Sequence, residues 1–272
     1  RPEKLDRAGE SREPDGERER FNSARRRSYR RREGSSSPVS SREFPCPIQM
    51  IRISGLRHQV LEIPDLELDA RHIAVIGPNG SGKTTLLEVI SGIDEPETGT
   101  IRILGRPPSS LRVGWVGEFP DRTLLFSRVY DEIASTPRFR HFPCPETDRL
   151  VLAAARLVGI SHLLERKVAS LSGGEKALVA LAAACVGDPE VLVLDEADSH
   201  LDAGAAERLK KVVQESPATH ILWCTQSMDT AAMADCIIFM KGGCILYQGT
   251  PEEVFDALRE TCYYPTIWRL RG

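Results

Sequence analysis

The stretch "RHIAVIGPNGSGKTTLLEVISGI", residues 71–93, constrains this chain more than any other. It runs from an apolar strand, Ile73 to Ile76, through a glycine-rich loop into a helix beginning near Lys83. Gly77, Gly82, Lys83 and Thr84 satisfy the spacing G-x-x-x-x-G-K-[ST], with Pro78, Asn79, Gly80 and Ser81 between them and Thr85 following. Glycines at these places let successive backbone N–H groups curl around a phosphate, and the helix start adds partial positive charge. The lysine then reaches the β and γ oxygens, and the threonine hydroxyl offers Mg²⁺ a ligand. The strand before and the amphipathic helix after argue against a chance glycine turn.

A second segment, "VLVLDEADSHLD" at 191–202, has a continuous apolar run from Val191 to Leu194, as expected of a strand buried on both faces of a sheet. It ends in two carboxylates. Asp195 is placed to hold Mg²⁺, directly or through water, and Glu196 to polarise an attacking water. Two acids after an apolar strand mean little alone; paired with the phosphate loop they read as the other half of one site. A third segment, "LSGGEKALVALA" at 171–182, puts Ser172 and the amides of Gly173 and Gly174 at a helix start, suited to a γ-phosphate.

Taken in order, "GPNGSGKTT", "LSGGE", the acidic strand end and the "LD" after it resemble the ATP-binding-cassette (ABC) superfamily over roughly residues 50–255. The resemblance implies an α/β fold of the P-loop NTPase class: a mostly parallel sheet, a small antiparallel β lobe near 50–72 and an inserted helical subdomain at about 119–175. It implies ATP and Mg²⁺ as ligands. It also implies a second ATPase chain, identical or not, facing the first head to tail so that the serine-glycine segment of one completes the ATP site of the other.

Chromosome-structure and double-strand-break-repair ATPases share the look of "LSGGEKALVALA", but they place long coiled coils between the phosphate loop and that segment. Here fewer than 90 residues separate Thr85 from Leu171, without sustained heptads. That resemblance is local, and no nucleic-acid partner is expected. "EFPDRTLLFSRVYDEIA" and "GGCILYQGTPEEVFDAL" resemble transport ATPases, especially those of energy-coupling-factor and cobalt or nickel importers. In the latter, Thr250, Pro251 and Glu253 have the local logic of a capped helix start.

The implied function is ATP hydrolysis powering import, of a metal ion or vitamin, through a transmembrane permease. Phe119 to Arg128 are the candidates for contact with that permease, which would hold the chain at the cytoplasmic face of the membrane. The rivals are a soluble cassette ATPase acting on DNA or ribosomes and a regulatory cassette of weak turnover.

Three positions depart from the resembled pattern. Glu118 aligns where a glutamine senses the γ-phosphate and metal, and Gln226 where a histidine follows the next strand. Where an aromatic residue stacks on adenine, "GLRHQVLEI" offers Arg57 or His58. An acid beside a triphosphate weakens binding unless Mg²⁺ compensates, and an amide cannot carry the charge of an imidazole. Slow hydrolysis is the expectation, with Glu196, Lys83, Glu118 and Gln226 the catalytic candidates and Thr84, Asp195 and Glu118 those for the metal.

Composition sets the limits around this domain. Residues 1–47 carry 13 basic and 9 acidic side chains with almost no apolar periodicity, which reads as a disordered tail. The whole chain is at −3, so the remainder carries −7 and is no basic platform for nucleic acid. Met50, just before the first strand, is a possible physiological start. The ATPase domain is expected at 48–255 and a C-terminal extension at 256–272. The 7 cysteines lack C-x-x-C spacing and read as free thiols. No apolar run approaches the roughly 20 residues that span a bilayer, so membrane contact falls to a partner.

Overall fold

Alternation of apolar and polar residues in "IRISGLRH" and "LEIPDLEL" gives each segment one buried face, and the computed structural model, which describes residues 50–199 and 201–269, pairs them as antiparallel strands. β1 (Ile51–His58) and β2 (Leu61–Leu68) meet with Ile51 opposite Leu68, Ile53 opposite Leu66 and Leu56 opposite Ile63. The tail expected at 1–47 and His200 lie outside the described residues.

The chain then forms β3 (His72–Ile76), α1 (Lys83–Ser91) and β4 (Thr98–Ile103). β4 returns to the free edge of β1, placing Ile101 and Ile103 against Ile53 and Ile51, so the antiparallel lobe has the order β2-β1-β4. It therefore reaches beyond the expected residues 50–72. "TGTIRI" has only two buried apolar residues, too short a pattern to announce its partner strand.

β5 (Val113–Val116) enters the second sheet, and α2 (Pro120–Thr123), α3 (Val129–Phe139) and α4 (Cys144–Val158) follow it. α5 (Gly173–Cys185), β6 (Val191–Asp195), α6 (Ala203–Glu215), β7 (His220–Cys224) and α7 (Met228–Ala231) lead to β8 (Cys236–Lys241) and β9 (Cys244–Gly249). α8 (Pro251–Ala257) and α9 (Thr266–Arg269) close the described chain. The sheet order is β5-β6-β7-β3-β8-β9, parallel throughout except for β9 at the edge.

All of β6 is buried, because helices cover both faces of the sheet. Leu192 and Leu194 point into a core shared with α3, α4, α5 and α6. Val191 and Val193 point into the other, shared with α1 and the β lobe. α5 rides close on β5, since a Cβ at Gly114 would stand 2.3 Å from the carbonyl oxygen of Ala184. The C-terminal residues fold back on the edge of this body: Trp268 packs edge-on against Phe255 at 5.4 Å and Tyr263 against Phe239 at 5.1 Å.

Candidate functional site

In a parallel sheet, ligands meet the loops leaving the carboxyl ends of the strands. β3 leaves into the glycine-rich loop, β6 into Asp195–Glu196, β7 into Thr225–Gln226 and β5 into Glu118. Parallel register sets Val116 beside Leu194, so Glu118 and Glu196 each stand two residues beyond a matched pair.

The loop after β3 is held by its glycines. Gly77 has φ +147°, and a Cβ there would fall 2.2 Å from the Met240 carbonyl oxygen. Gly82 has φ +93° and begins α1 with no side-chain cap, which leaves the helix start open to an anion. Two turns brace the loop: the Gly243 N–H donates to the Ser81 carbonyl at 3.1 Å, and the Glu62 N–H to the Gly243 carbonyl at 3.0 Å. Lys83 is buried; its ammonium donates to the carbonyls of Gly77 and Pro78 at 3.1 and 3.2 Å. Thr84 is exposed on the first turn, with Thr85 half-buried behind it, and Asn79 and Gly80 are exposed at the loop tip.

Glu196 bends back over this loop. Its φ of +49° is a left-handed conformation that a non-glycine residue adopts at a cost of about 1–3 kcal/mol. Its N–H donates to the Cys224 carbonyl at 2.9 Å, and its own carbonyl accepts from the Ser199 N–H at 3.0 Å. The result is a carboxylate with Oε1 3.9 Å from the Lys83 ammonium and Oε2 accepting from the Gln226 amide at 2.7 Å.

Asp195 lies below, buried, with its Oδ1 lacking any hydrogen-bond partner; the hydroxyl of Ser81 is buried and unpartnered too. Buried polar atoms are nearly always paired, so two orphans at one site call for a ligand. Burial, and after it the Asp195 and Asp94 carboxylates, pushes the Glu88 carboxyl on α1 up. These oxygen donors fit a hard divalent cation such as Mg²⁺, which Asp195 and Thr84 would hold. Beside Asp195, burial pushes the Cys224 thiol up, so it stays neutral.

The serine-glycine segment lies elsewhere. Ser172 caps α5 in a capping box: its hydroxyl accepts from the Glu175 N–H at 3.3 Å, and Glu175 Oε2 accepts from the Ser172 N–H at 2.7 Å. Ser172 and Gly173 are exposed, and a Cβ on Gly173 would meet nothing within 4 Å. α5 belongs to the Leu192–Leu194 face of the sheet and α1 to the Val191–Val193 face. One chain thus gathers Lys83, Asp195, Glu196 and Gln226, and leaves Ser172 and Gly173 exposed at the start of another helix, with Gly174 half-buried beside Asp202 and Ala205.

Of the two residues offered for adenine, His58 is buried, its Nε2 3.0 Å from Asp94 Oδ2. Arg57 is exposed and paired with Glu62 at 3.2 Å. Sequence reasoning missed Asp94 as the partner of His58, and it missed Asp198 and Thr225, which lie just behind the Glu196–Gln226 contact. Asp198 stands in the quoted acidic segment and Thr225 beside Gln226, but only the strand pairing of β6 with β7 brings them together.

A family model described as ABC transporter matches residues 65–199. The chain is 34% identical over 225 residues to a molybdate/tungstate import ATP-binding protein, WtpC, of Pyrococcus abyssi, covering 76% of this chain and 64% of that relative, less than two thirds of its length. It is 36% identical over 196 residues to the energy-coupling factor transporter ATP-binding protein EcfA1 of Enterococcus faecalis, covering 68% of this chain and 70% of the relative. Among solved structures, CbiO1 from Clostridium perfringens, described as part of the ABC transporter complex CbiONQ, superimposes with TM-score 0.68 at 28% identity, covering 77% of this chain and 93% of the other.

Proposed function

The chain belongs to the ABC transporter family of ATP-binding proteins, and on that premise we propose that it binds MgATP and hydrolyses it to power import through a transmembrane permease. The observation that carries the reading is the meeting of Lys83, Glu196 and Gln226 above the orphaned Asp195 oxygen.

The chemistry divides among these groups. Backbone N–H groups of the loop and the start of α1 bind the phosphates, with Lys83 drawn from the loop carbonyls to the phosphate oxygens. Glu196 accepts the proton of a water as its oxygen bonds to the γ-phosphorus; the bond to the bridging oxygen breaks, leaving ADP and inorganic phosphate. The Gln226 amide keeps the Glu196 carboxylate turned toward that water. When bound, Mg²⁺ neutralises charge on the phosphate oxygens.

A second ATPase chain, head to tail, supplies Ser172 and its glycine amides to the γ-phosphate. The exposure of Gly173 and the assignment of α5 and α1 to opposite sheet faces support this pairing. The permease docks on the helical segment after β5. There Phe119, Leu125 and Phe139 are exposed, and a cleft of about 320 Å³ opens between β5, α3 and α5. Glu132, buried, accepts from the N–H groups of Leu125 and Phe126 and so shapes the rim of that cleft. Two relatives are named for import of molybdate or tungstate and of trehalose or maltose, which supports a small solute as the cargo class.

Purification of the tagged chain from detergent-solubilised membranes tests this reading. The expected result is co-purification with a multi-span membrane protein that raises ATP hydrolysis. A chain that comes alone, and whose hydrolysis rises instead with DNA or ribosomes, contradicts it.

A further inference from the structure

Behind the contact between Gln226 and Glu196 lies a short chain of hydrogen bonds that the reaction as described does not use. Asp198 Oδ2 accepts from the Thr225 hydroxyl at 2.7 Å, and Asp198 Oδ1 from the Trp223 indole N–H at 3.4 Å. The Thr225 oxygen in turn accepts from the Ser227 N–H at 3.0 Å. Thr225 and Trp223 are each 1% exposed, whereas Gln226 between them and Ser227 is exposed. The indole is fixed from its other side by a stacked contact with His72, ring centroids 5.9 Å apart. Ser227 also caps α7, its hydroxyl accepting from the Thr230 N–H at 3.2 Å.

Gln226 is therefore an exposed, flexible side chain on a rigidly held turn. Left to itself, a glutamine carboxamide samples many rotamers, and ordering it costs side-chain entropy. Here the residue before it is tied to a carboxylate and the residue after it is tied to that same hydroxyl. The backbone of Gln226 is thus held on both sides. Asp198 is two residues from Glu196, so one short loop carries both the carboxylate that Gln226 touches and the carboxylate that sets the turn of Gln226.

We propose that Asp198 is a positioning residue for ATP hydrolysis, acting through the Thr225 hydroxyl to hold the Gln226 carboxamide against Glu196. The proposal rests on the ATPase reading and goes beyond it, because among the described residues neither Asp198 nor Thr225 hydrogen-bonds to the phosphate loop. Loss of this latch lowers turnover and leaves ATP affinity alone.

Steady-state phosphate release from the purified chain, over a range of MgATP concentrations, tests it. Thr225→Val, equal in shape and lacking the hydroxyl, is expected to lower kcat about tenfold with KM within about twofold, the mark of a misplaced group rather than a lost binding contact. Thr225→Ser restores the hydroxyl and is expected to return kcat to within about twofold of the parent. In a Gln226→Ala background, Thr225→Val is expected to add no further loss, since the two act as one unit. An unchanged KM certifies the fold of each variant. Asp198→Asn, which weakens both bonds without removing the side chain, gives a second and smaller loss of kcat should Thr225→Val not fold.

The failures separate cleanly. A parent that releases no phosphate overturns the ATPase reading and the latch with it. A parent that hydrolyses ATP while Thr225→Val keeps its kcat, or loses as much again in the Gln226→Ala background, overturns the latch alone.

Discussion

The Lys83 ammonium stands 3.9 Å from Glu196 Oε1 while it donates to the carbonyls of Gly77 and Pro78. The two residues come from different motifs, and the strand order β6-β7-β3 carries one to the other. Lys83 is thereby buried with its nitrogen facing two carbonyl oxygens and one carboxylate. A triphosphate entering the loop offers that ammonium stronger acceptors than carbonyl oxygens do.

Lys83→Ala is expected to weaken ATP binding about tenfold or more, since a charge-assisted contact is worth about 1.5–3 kcal/mol. Titration with a fluorescent ATP analogue measures it. Unchanged affinity in a folded variant removes Lys83 from the phosphate site.

Gln226→His replaces an amide with an imidazole at the atom that meets Glu196 Oε2. It is expected to raise hydrolysis about tenfold, which is about 1.4 kcal/mol of barrier, with little change in binding. Glu118→Gln, two residues beyond β5, is expected to add to this by removing a negative charge near the phosphates, and the two changes are expected to couple if both residues border the γ-phosphate. Phosphate release from the parent, both single variants and the double variant decides the matter, a flat or lower rate in Gln226→His being the contrary result.

Much of this site was legible because its chemistry is local. Gly77 to Thr84 declare themselves by spacing, and Thr250, Pro251 and Glu253 build the helix start that their order implies, with the Thr250 hydroxyl accepting from the Glu253 N–H at 3.4 Å. What escaped was set by pairing between distant strands. β4 joins the lobe through its register with β1, and His58 turns inward because Asp94, from the loop after α1, waits there. Asp198 finds Thr225 only because β6 and β7 are neighbours. Such contacts depend on strand order, which periodicity along one segment does not contain.

Two histidines, His220 buried and His72 half-buried, give a pH dependence. Burial lowers the proton affinity of both His72 and His220, the latter with its Nδ1 2.9 Å from the Ala70 carbonyl. Each is favoured neutral in the fold, while the unfolded chain takes up its protons near pH 6.5. Their contribution to stability is therefore complete above about pH 6.5 and is lost as the pH falls from there toward the lowered folded values. Melting temperatures are expected to hold between about pH 7 and 8 and to fall below 6.5, with a smaller fall in His220→Gln. An identical acid profile in that variant contradicts the assignment for His220.

The central claim is that Glu196 takes the proton of the attacking water over a phosphate held by Lys83. It is tested most directly by phosphate release from Glu196→Gln under conditions where bound ATP is measured in the same sample. A general base contributes about 10²–10⁴-fold, so the variant should hold ATP at least as well as the parent and release phosphate at least about a hundredfold more slowly. A variant that holds ATP and releases phosphate at the parent rate would contradict the account.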